Sequence, residues 1–581
     1  YFNPTQNKDA SDIDEYNYDK NYPEYENYNN NTDWVSEVTQ TGNISDHYLT
    51  LSGGGERATY RVSGGFFNQN GTIIGQKFSK VSSRAYLEYR VSDRIKFISE
   101  FSLSNSDNRR NYENLLGIAY RKMPNVSVFA QDAQGKNTGI YYNIPRTSTL
   151  DTDQRDLKNP VALAYLATNR LQSFRILPTF RLQYDILDPE KSSLKFNMYV
   201  SFDINNSKTS MFLHQEVSNF VWNDKNVNRA ENYDSEGLTI FTDANLSWQP
   251  KFNNKDHSLL LYGSFQTNFG NSASQGIVSY SLPSGEAVDA SGVGYLSSAY
   301  SSHYPWRSAG YLIRSHYSYK SKYNVSLTYR IDGSTKFGAD NKWGNFPGVS
   351  LRWNISDENF MSKTKKWLSM LAFRPSYGVS GNQPSAEYLH FSRYETYGTY
   401  AGETAIKPVS LQLKNLKWET STSFNYGFDL GFFEDKITLD LNYYKRQTKD
   451  LLFKNVEIPS SSGFGSASYI NGGTMNNEGW EINFYANQFI KVNDFSVDFK
   501  FNLSNYRNTL IELDQRLLDS YNGDFNYNNG SYLTRVQEGN SFGSIYGFKY
   551  EGVYQYDQYS AEHPNAPVAR DAENNVITDH N

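Results

Sequence analysis

The stretch Leu194-Lys-Phe-Asn-Met-Tyr-Val-Ser-Phe-Asp-Ile204 places an apolar side chain at every even position and, Tyr199 apart, a polar one at every odd position. Successive side chains of a strand point to opposite faces, so a period of two gives a segment with one greasy and one wet side. Phe180, Leu182, Tyr184 and Ile186 alternate in the same way with Thr179, Arg181, Gln183 and Asp185. The pattern returns from Val325 to Ile331, from Ile437 to Tyr443 and from Phe495 to Leu503. Helical periodicity is nearly absent; one short helical turn is expected near Leu115–Lys122.

The chain has 581 residues, 38% of them hydrophobic and 16% aromatic, which excludes intrinsic disorder because so many rings need burial. No Pro/Gly/Ser-rich linker divides it, so one large architecture is expected instead of a string of domains. No run of 18 apolar residues exists, which rules out helical membrane spans and leaves membrane-spanning strands open. With no cysteine, disulfides, thiolate metal sites and Cys nucleophiles are all excluded. A net charge of −6 with well-mixed signs argues against a nucleic-acid partner. The opening residues Tyr1-Phe2-Asn3-Pro4 carry neither Met nor a signal segment, so targeting information is expected upstream.

The connections separate a soluble sandwich from a membrane barrel. Short ones fall at 53–56, 92–93, 188–190, 250–256, 320–321, 356–366, 434–435 and 491–493. Long ones fall between them, at roughly 67–80, 110–171, 207–236, 270–305, 333–343, 380–416, 454–470 and 508–541. Strict alternation of short and long is the outer-membrane pattern, tight turns on the periplasmic side and long loops outside. The fold class expected is therefore an all-β transmembrane antiparallel barrel with about 16 strands in this chain. Residues 1–46 form an N-terminal extracellular segment, 47–507 the barrel strands with their loops, and 508–581 a loop region with one further strand-like segment. Aromatics near strand ends (Tyr304/Trp306, Trp343/Phe346/Trp353, Trp367, Trp418) are expected to form girdles at the two membrane interfaces.

Catalytic signatures are missing: there is no G-x-S-x-G, Walker loop or H-E-x-x-H, and the eight His residues show no i, i+3 or i, i+4 pair. No enzyme activity, cofactor or metal is expected. The acidic run Asp12-Ile13-Asp14-Glu15 lacks the glycine turn of a calcium loop and reads as solvated. Rings in the long connections, Tyr141, Tyr142, Trp222, Tyr280, Tyr295 and Tyr300, are candidate ligand contacts, able to stack on sugars or clamp a peptide, or else to pack the loops. Arg181, Asp185, Arg330, Asp332, Asp440 and Asp498 fall on wet faces and are expected to line a mixed-charge lumen.

Several motifs resemble the SusC/RagA family of TonB-dependent outer-membrane transporters, in order and over most of the chain. They include Tyr60-Arg-Val-Ser-Gly-Gly-Phe-Phe-Asn-Gln-Asn-Gly71, Tyr329-Arg-Ile-Asp-Gly-Ser-Thr-Lys-Phe-Gly338, Trp343-Gly-Asn-Phe-Pro-Gly-Val-Ser350, Ser376-Tyr-Gly-Val-Ser-Gly-Asn-Gln383 and Leu416-Lys-Trp-Glu-Thr420. The resemblance implies a barrel of about 22 strands around an N-terminal plug, coupling to the TonB complex, a SusD-like lipoprotein partner, and a location in the outer membrane of a Gram-negative bacterium, among its lipids. Plug, TonB box and some strands are expected outside residues 1–581. Pro375, inside a strand-like run, departs from the pattern and is expected to disturb the local ladder. The function implied is active import of oligosaccharides or oligopeptides. The rival readings are a passive porin and a surface adhesin or structural barrel.

Overall fold

In hydrocarbon, a backbone amide finds a partner only on a neighbouring strand, and the described residues meet that demand on both sides for all but the two edge strands of one sheet. A computed structural model describes residues 25–28, 30–146, 152–187, 192–217, 220–286, 289–290, 294–522, 533–547 and 549. Asp12–Glu15, Asp188–Glu190 and 550–581 lie outside them. Sixteen strands pair in chain order, each antiparallel to the next. They are β1 (Asn43–Gly54), β2 (Ala58–Asn70), β3 (Lys77–Arg90), β4 (Ile95–Arg110), β5 (Thr168–Asp185), β6 (Ser192–Leu213), β7 (Arg229–Pro250) and β8 (His257–Tyr280), followed by β9 (Tyr295–Tyr319), β10 (Tyr323–Ser334), β11 (Trp343–Asn354), β12 (Leu368–Asn382), β13 (Glu419–Phe432), β14 (Ile437–Lys449), β15 (Gly473–Val492) and β16 (Phe495–Leu513). No helix among the described residues is long and apolar enough to cross a membrane.

Register keeps the greasy positions on one side throughout. Phe373 pairs with Phe428, Phe428 with Leu441, Leu441 with Ile482 and Ile482 with Leu503, an unbroken apolar row over five strands. None of these side chains is buried; Phe428 keeps 41% of its surface and Leu503 46%. Such a face suits lipid, since no protein covers it.

Only part of the expected girdle lies on that face. Trp343 and Trp353 are ten residues apart on β11, with outward parity and half-exposed rings. At ~3.4 Å per residue and a ~45° tilt, they stand about 24 Å apart along the membrane normal, the height of a barrel's apolar band. Trp353 stacks on Tyr323 and Tyr323 on Tyr319, while Trp367 stacks on Phe432, forming a belt at the short-turn end. Phe346 and Trp418 depart from the expectation: they meet at 5.6 Å on the opposite face, Phe346 lying over the bare backbone of Gly344 and Gly381. Tyr304 and Trp306 also have inward parity, because they sit at even positions of β9.

The strands overrun the expected long connections. β8 has 24 residues and β9 25, so the 270–305 connection shrinks to 281–294. Polar Ser, Gln and Asn continue the alternation there, and the hairpin extends beyond the ~9–11 residues that span a bilayer. Pro375 disturbs its ladder as expected: β11 and β12 pair at Ser350↔Ser376 and again at Trp353↔Phe373, skipping Pro375 between them. Its other neighbour is kept, at Pro375↔Tyr426.

The long connections carry small cores of their own. Helices α1 (Trp34–Val38), α2 (Leu115–Arg121) and α3 (Pro160–Leu166) bury Trp34, Leu115, Ile118, Val161 and Leu163 together. Asn159 organises this core. Its Oδ1 accepts from the Val161 and Ala162 amides, capping α3 with Pro160 at the first helical position, and its Nδ2 donates to the Val128 and Tyr142 carbonyls at 2.8 and 3.0 Å. Lys122 is buried beside it, its Nζ donating to the Leu157 carbonyl at 3.1 Å and lying 5.4 Å from the Trp34 ring. Desolvation pushes its pKa down to about 8 from 10.5.

Three outcomes follow from these arrangements. Leu441→Arg places a charge in mid-band and is expected to cost about 2–4 kcal/mol in denaturant titration of the protein folded in liposomes, whereas Ser504→Arg, exposed on the wet face of β16, leaves the midpoint nearly unchanged. Asn159→Ala strands two helix amides and two carbonyls and is expected to lower the local stability of 111–167 by about 2–4 kcal/mol, read by hydrogen exchange. Between pH 8 and 10.5 the unfolded loop binds a proton at Lys122 that the folded loop does not. Protection of 111–167 therefore rises with pH through that window, by on the order of 3 kcal/mol, and Lys122→Met abolishes the rise.

Candidate functional site

The wet face of the sheet is a wall of Ser, Asn, Gln and Tyr that carries several matched charge networks. On β11–β14, Arg352 Nη1 donates to Asp429 at 2.7 Å, Arg374 Nε to Asp429 at 2.8 Å and Arg374 Nη2 to Asp440 at 2.7 Å. Two guanidiniums against two carboxylates leave no net charge, and Asn442 and Asn483 take up a remaining Asp440 oxygen. On β7–β10, Arg330 bridges Asp332 at 2.6 Å and Gln266 at 3.1 Å, and Gln266 reaches Asp243 at 2.6 Å. A similar fork joins Arg175 to Asp203 across β5 and β6.

The six polar residues singled out in the sequence all have wet-face parity, and each is engaged. Arg181 lies over the Tyr199 ring at 5.5 Å, and Asp185 faces Lys195 at 3.5 Å. Arg330, Asp332 and Asp440 belong to the networks above. Asp498 accepts from the Gln488 amide at 2.8 Å, closing a bulge in β15 at the short-turn end. The wall thus offers hydrogen bonds from amides and hydroxyls more than free charge.

The aromatic candidates separate into two places. Tyr142 is 7% exposed and packs edge-on against Tyr28 inside the loop core, so its face is not offered to a ligand. Tyr141 is half-buried, stacked on Phe129 at 5.0 Å across a small hairpin, and burial raises its phenol pKa. The other four gather above the β7–β9 sector. Tyr280 stacks on Tyr295 at 5.6 Å. Tyr300 and Tyr233 converge over Gly276, where a Cβ would collide with both rings. Trp222 is held next to this sector by Ser281 Oγ, which donates to its carbonyl at 2.8 Å. Trp222, Tyr295 and Tyr300 are each more than half exposed.

Tyr233 was not singled out from the sequence, yet it is the ring most firmly set. Its hydroxyl donates to Glu231 at 2.6 Å, and the same carboxylate takes Arg229 at 2.7 Å and Tyr112 at 3.1 Å. Tyr112, from the connection after β4, has its pKa raised chiefly by burial. Glu231 thereby ties the loop core to the aromatic sector. The hairpin Arg393–Tyr400/Glu403–Ser410 was also missed; it exposes Tyr394, Tyr397 and Tyr400. Its signal was Ala401-Gly402, whose positive φ angles of 53° and 87° suit a two-residue hairpin turn. No cluster of metal-ligating side chains occurs among the described residues.

The architecture agrees with known proteins. In sequence, 557 residues align at 27% identity with TonB-dependent receptor P3 of Formosa agariphila, covering 90% of this chain and 51% of that protein. TonB-dependent receptor SusC of Bacteroides thetaiotaomicron is 25% identical over 83% of this chain and 48% of its own length. The chain therefore spans about half the length of these relatives. In fold, it superposes on the RagAB peptide importer in its closed-closed state with a TM-score of 0.72 at 20% identity, over 95% of this chain and 59% of the other. Residues 100–567 match the family described as TonB dependent receptor-like, beta-barrel, so the chain belongs to the TonB-dependent receptor β-barrels of the Gram-negative outer membrane.

Proposed function

We propose that this chain is the barrel of an active importer that draws oligosaccharides or oligopeptides through the outer membrane, working with a SusD-like surface lipoprotein and energised through the TonB complex. The observation that carries the reading is the pairing of a hydrogen-bonding inner wall, its Arg352/Arg374 and Asp429/Asp440 charges balanced, with exposed rings at its loop end. Such a surface suits a long, polar ligand that offers stacking faces, whether pyranose rings or peptide groups, and it selects weakly for charge. Trp222, Tyr280, Tyr295 and Tyr300 would receive the ligand. The amide- and hydroxyl-rich wall would then pass it inward when a plug, expected upstream of this segment, is displaced. Residues 30–42, before β1, and 514–522, after β16, fall on the extracellular side in this reading.

Native complexes purified through this chain are expected to contain a larger polypeptide with a plug and a lipoprotein. Uptake of labelled oligosaccharides or oligopeptides should cease when TonB is deleted. Uptake that persists identifies a porin, and binding without uptake an adhesin. Tyr295→Ala and Tyr300→Ala are each expected to raise the half-saturating ligand concentration about two- to tenfold, one stacking contact's worth, while Tyr142→Phe leaves it unchanged.

A further inference from the structure

Beyond the apolar band, the outward face of β3–β5 carries charge in an unfavourable order. Register sets Lys77 directly opposite Arg109, and Arg109 directly opposite Arg170. Parity puts all three outside: Lys77 shares its face with Val81 and Leu87, Arg109 with Phe101, and Arg170 with Phe174 and Phe180. One carboxylate stands among them, Asp107, and it is engaged by Arg170 through a two-bond fork at 2.8 and 2.7 Å. Lys77 and Arg109 also act on Asp107 through space, but no described carboxylate forms an ion pair with either, and both are exposed. The next acid along this face, Asp234 on β7, has a cation of its own directly opposite, Lys208 of β6. Like charges directly opposite on neighbouring strands destabilise a sheet. Three cations against one carboxylate leave an excess of two positive charges at one level, which suits an external counter-charge.

Its position says what can supply it. The row lies at the long-connection end: Lys77 is four residues past Val81, Arg170 four past Phe174 and Arg109 six past Leu103. With the strands tilted, that is about 10–14 Å beyond the last lipid-facing apolar side chains, and long basic side chains reach back from there toward the headgroups. We propose that Lys77, Arg109 and Arg170 form a binding site for the phosphate of an outer-leaflet lipid, whose acyl chains lie along Phe101, Leu103 and Phe174. The Arg109 guanidinium supplies a forked donor to phosphate oxygens, Lys77 a compact charge, and Arg170, its fork held by Asp107, the remaining N–H groups of its guanidinium. The apolar wall continuous with the row favours a lipid over free phosphate.

The test uses the full-length protein in phosphatidylethanolamine nanodiscs doped with phosphatidic acid as the phosphate-bearing probe, with native mass spectrometry reading the lipid retained. Wild type is expected to retain phosphatidic acid about fivefold or more above a Lys77→Gln/Arg109→Gln variant, which leaves the Arg170–Asp107 fork intact. A Lys445→Gln/Lys449→Gln variant, which removes equal charge from the outward face of β14, is expected to retain it like wild type. Equal retention by all three proteins, or equal loss in both variants, overturns the site. Inorganic phosphate displacing the lipid at low millimolar concentration overturns the lipid as its ligand. If the first variant does not fold, Lys77→Gln alone, expected to lose part of the retention, gives the same reading.

Discussion

Hydrocarbon offers a backbone amide nothing to bond, and most of this structure follows from that constraint. Each strand must be satisfied by its neighbours, so sixteen strands run in chain order with no crossover. Once the ladder is fixed, side-chain parity assigns every residue to lipid or to the wet interior, and a slip of one residue would exchange the two faces. The ladder tolerates few gaps. Pro375 and Pro178 each interrupt one side only, and both keep pairing on the other, at Tyr426 and Phe101 respectively.

The two faces handle charge differently, and magnitudes explain why. Two unit charges about 5 Å apart interact by roughly 1 kcal/mol in water and several times more where the effective dielectric falls. On the wet face, Arg374 shared between Asp429 and Asp440, with Arg352 completing the set, cancels its field within the wall. A ligand passing there meets dipoles, which bind and release, instead of fixed charges that would hold it. On the outer face near the rim, the Lys77–Arg109–Arg170 row does not cancel, although its strands are as regular as any others.

Much of the fold was legible because a strand's period is local. The alternation from Leu194 to Ile204, the short turns at 320–321 and 434–435, the helical turn after Leu115 and the disturbance at Pro375 all depend on a few adjacent residues. The failures depend on distant ones. Trp418 reads as an interfacial ring until Phe337 and Phe346 are seen packed against it. Tyr142 reads like Tyr300 until Tyr28, more than a hundred residues away, covers it. Among the candidate rings, the sequence identified residue types suited to stacking. It could not indicate that Tyr233, anchored by Glu231, meets Tyr300 across Gly276, because that convergence comes from the register of three strands.

The loop cores are separate bodies. One joins the segment around Trp34 to 111–167, one is built on Phe212, Ala230 and Leu282, one on Phe337, Leu389 and Leu416, and one on Val456, Leu510 and Leu517. Each is small and closes mostly between neighbouring connections, so local opening can leave the ladder below intact. The crown is thus modular in an evolutionary sense, with a few fixed joints: Tyr112 on Glu231 and the hairpin 452–471 link one core to the next, and drift elsewhere in a pair of connections need not be answered in another. A lineage could change what its rim recognises one module at a time, while the part that crosses the membrane stays as it is.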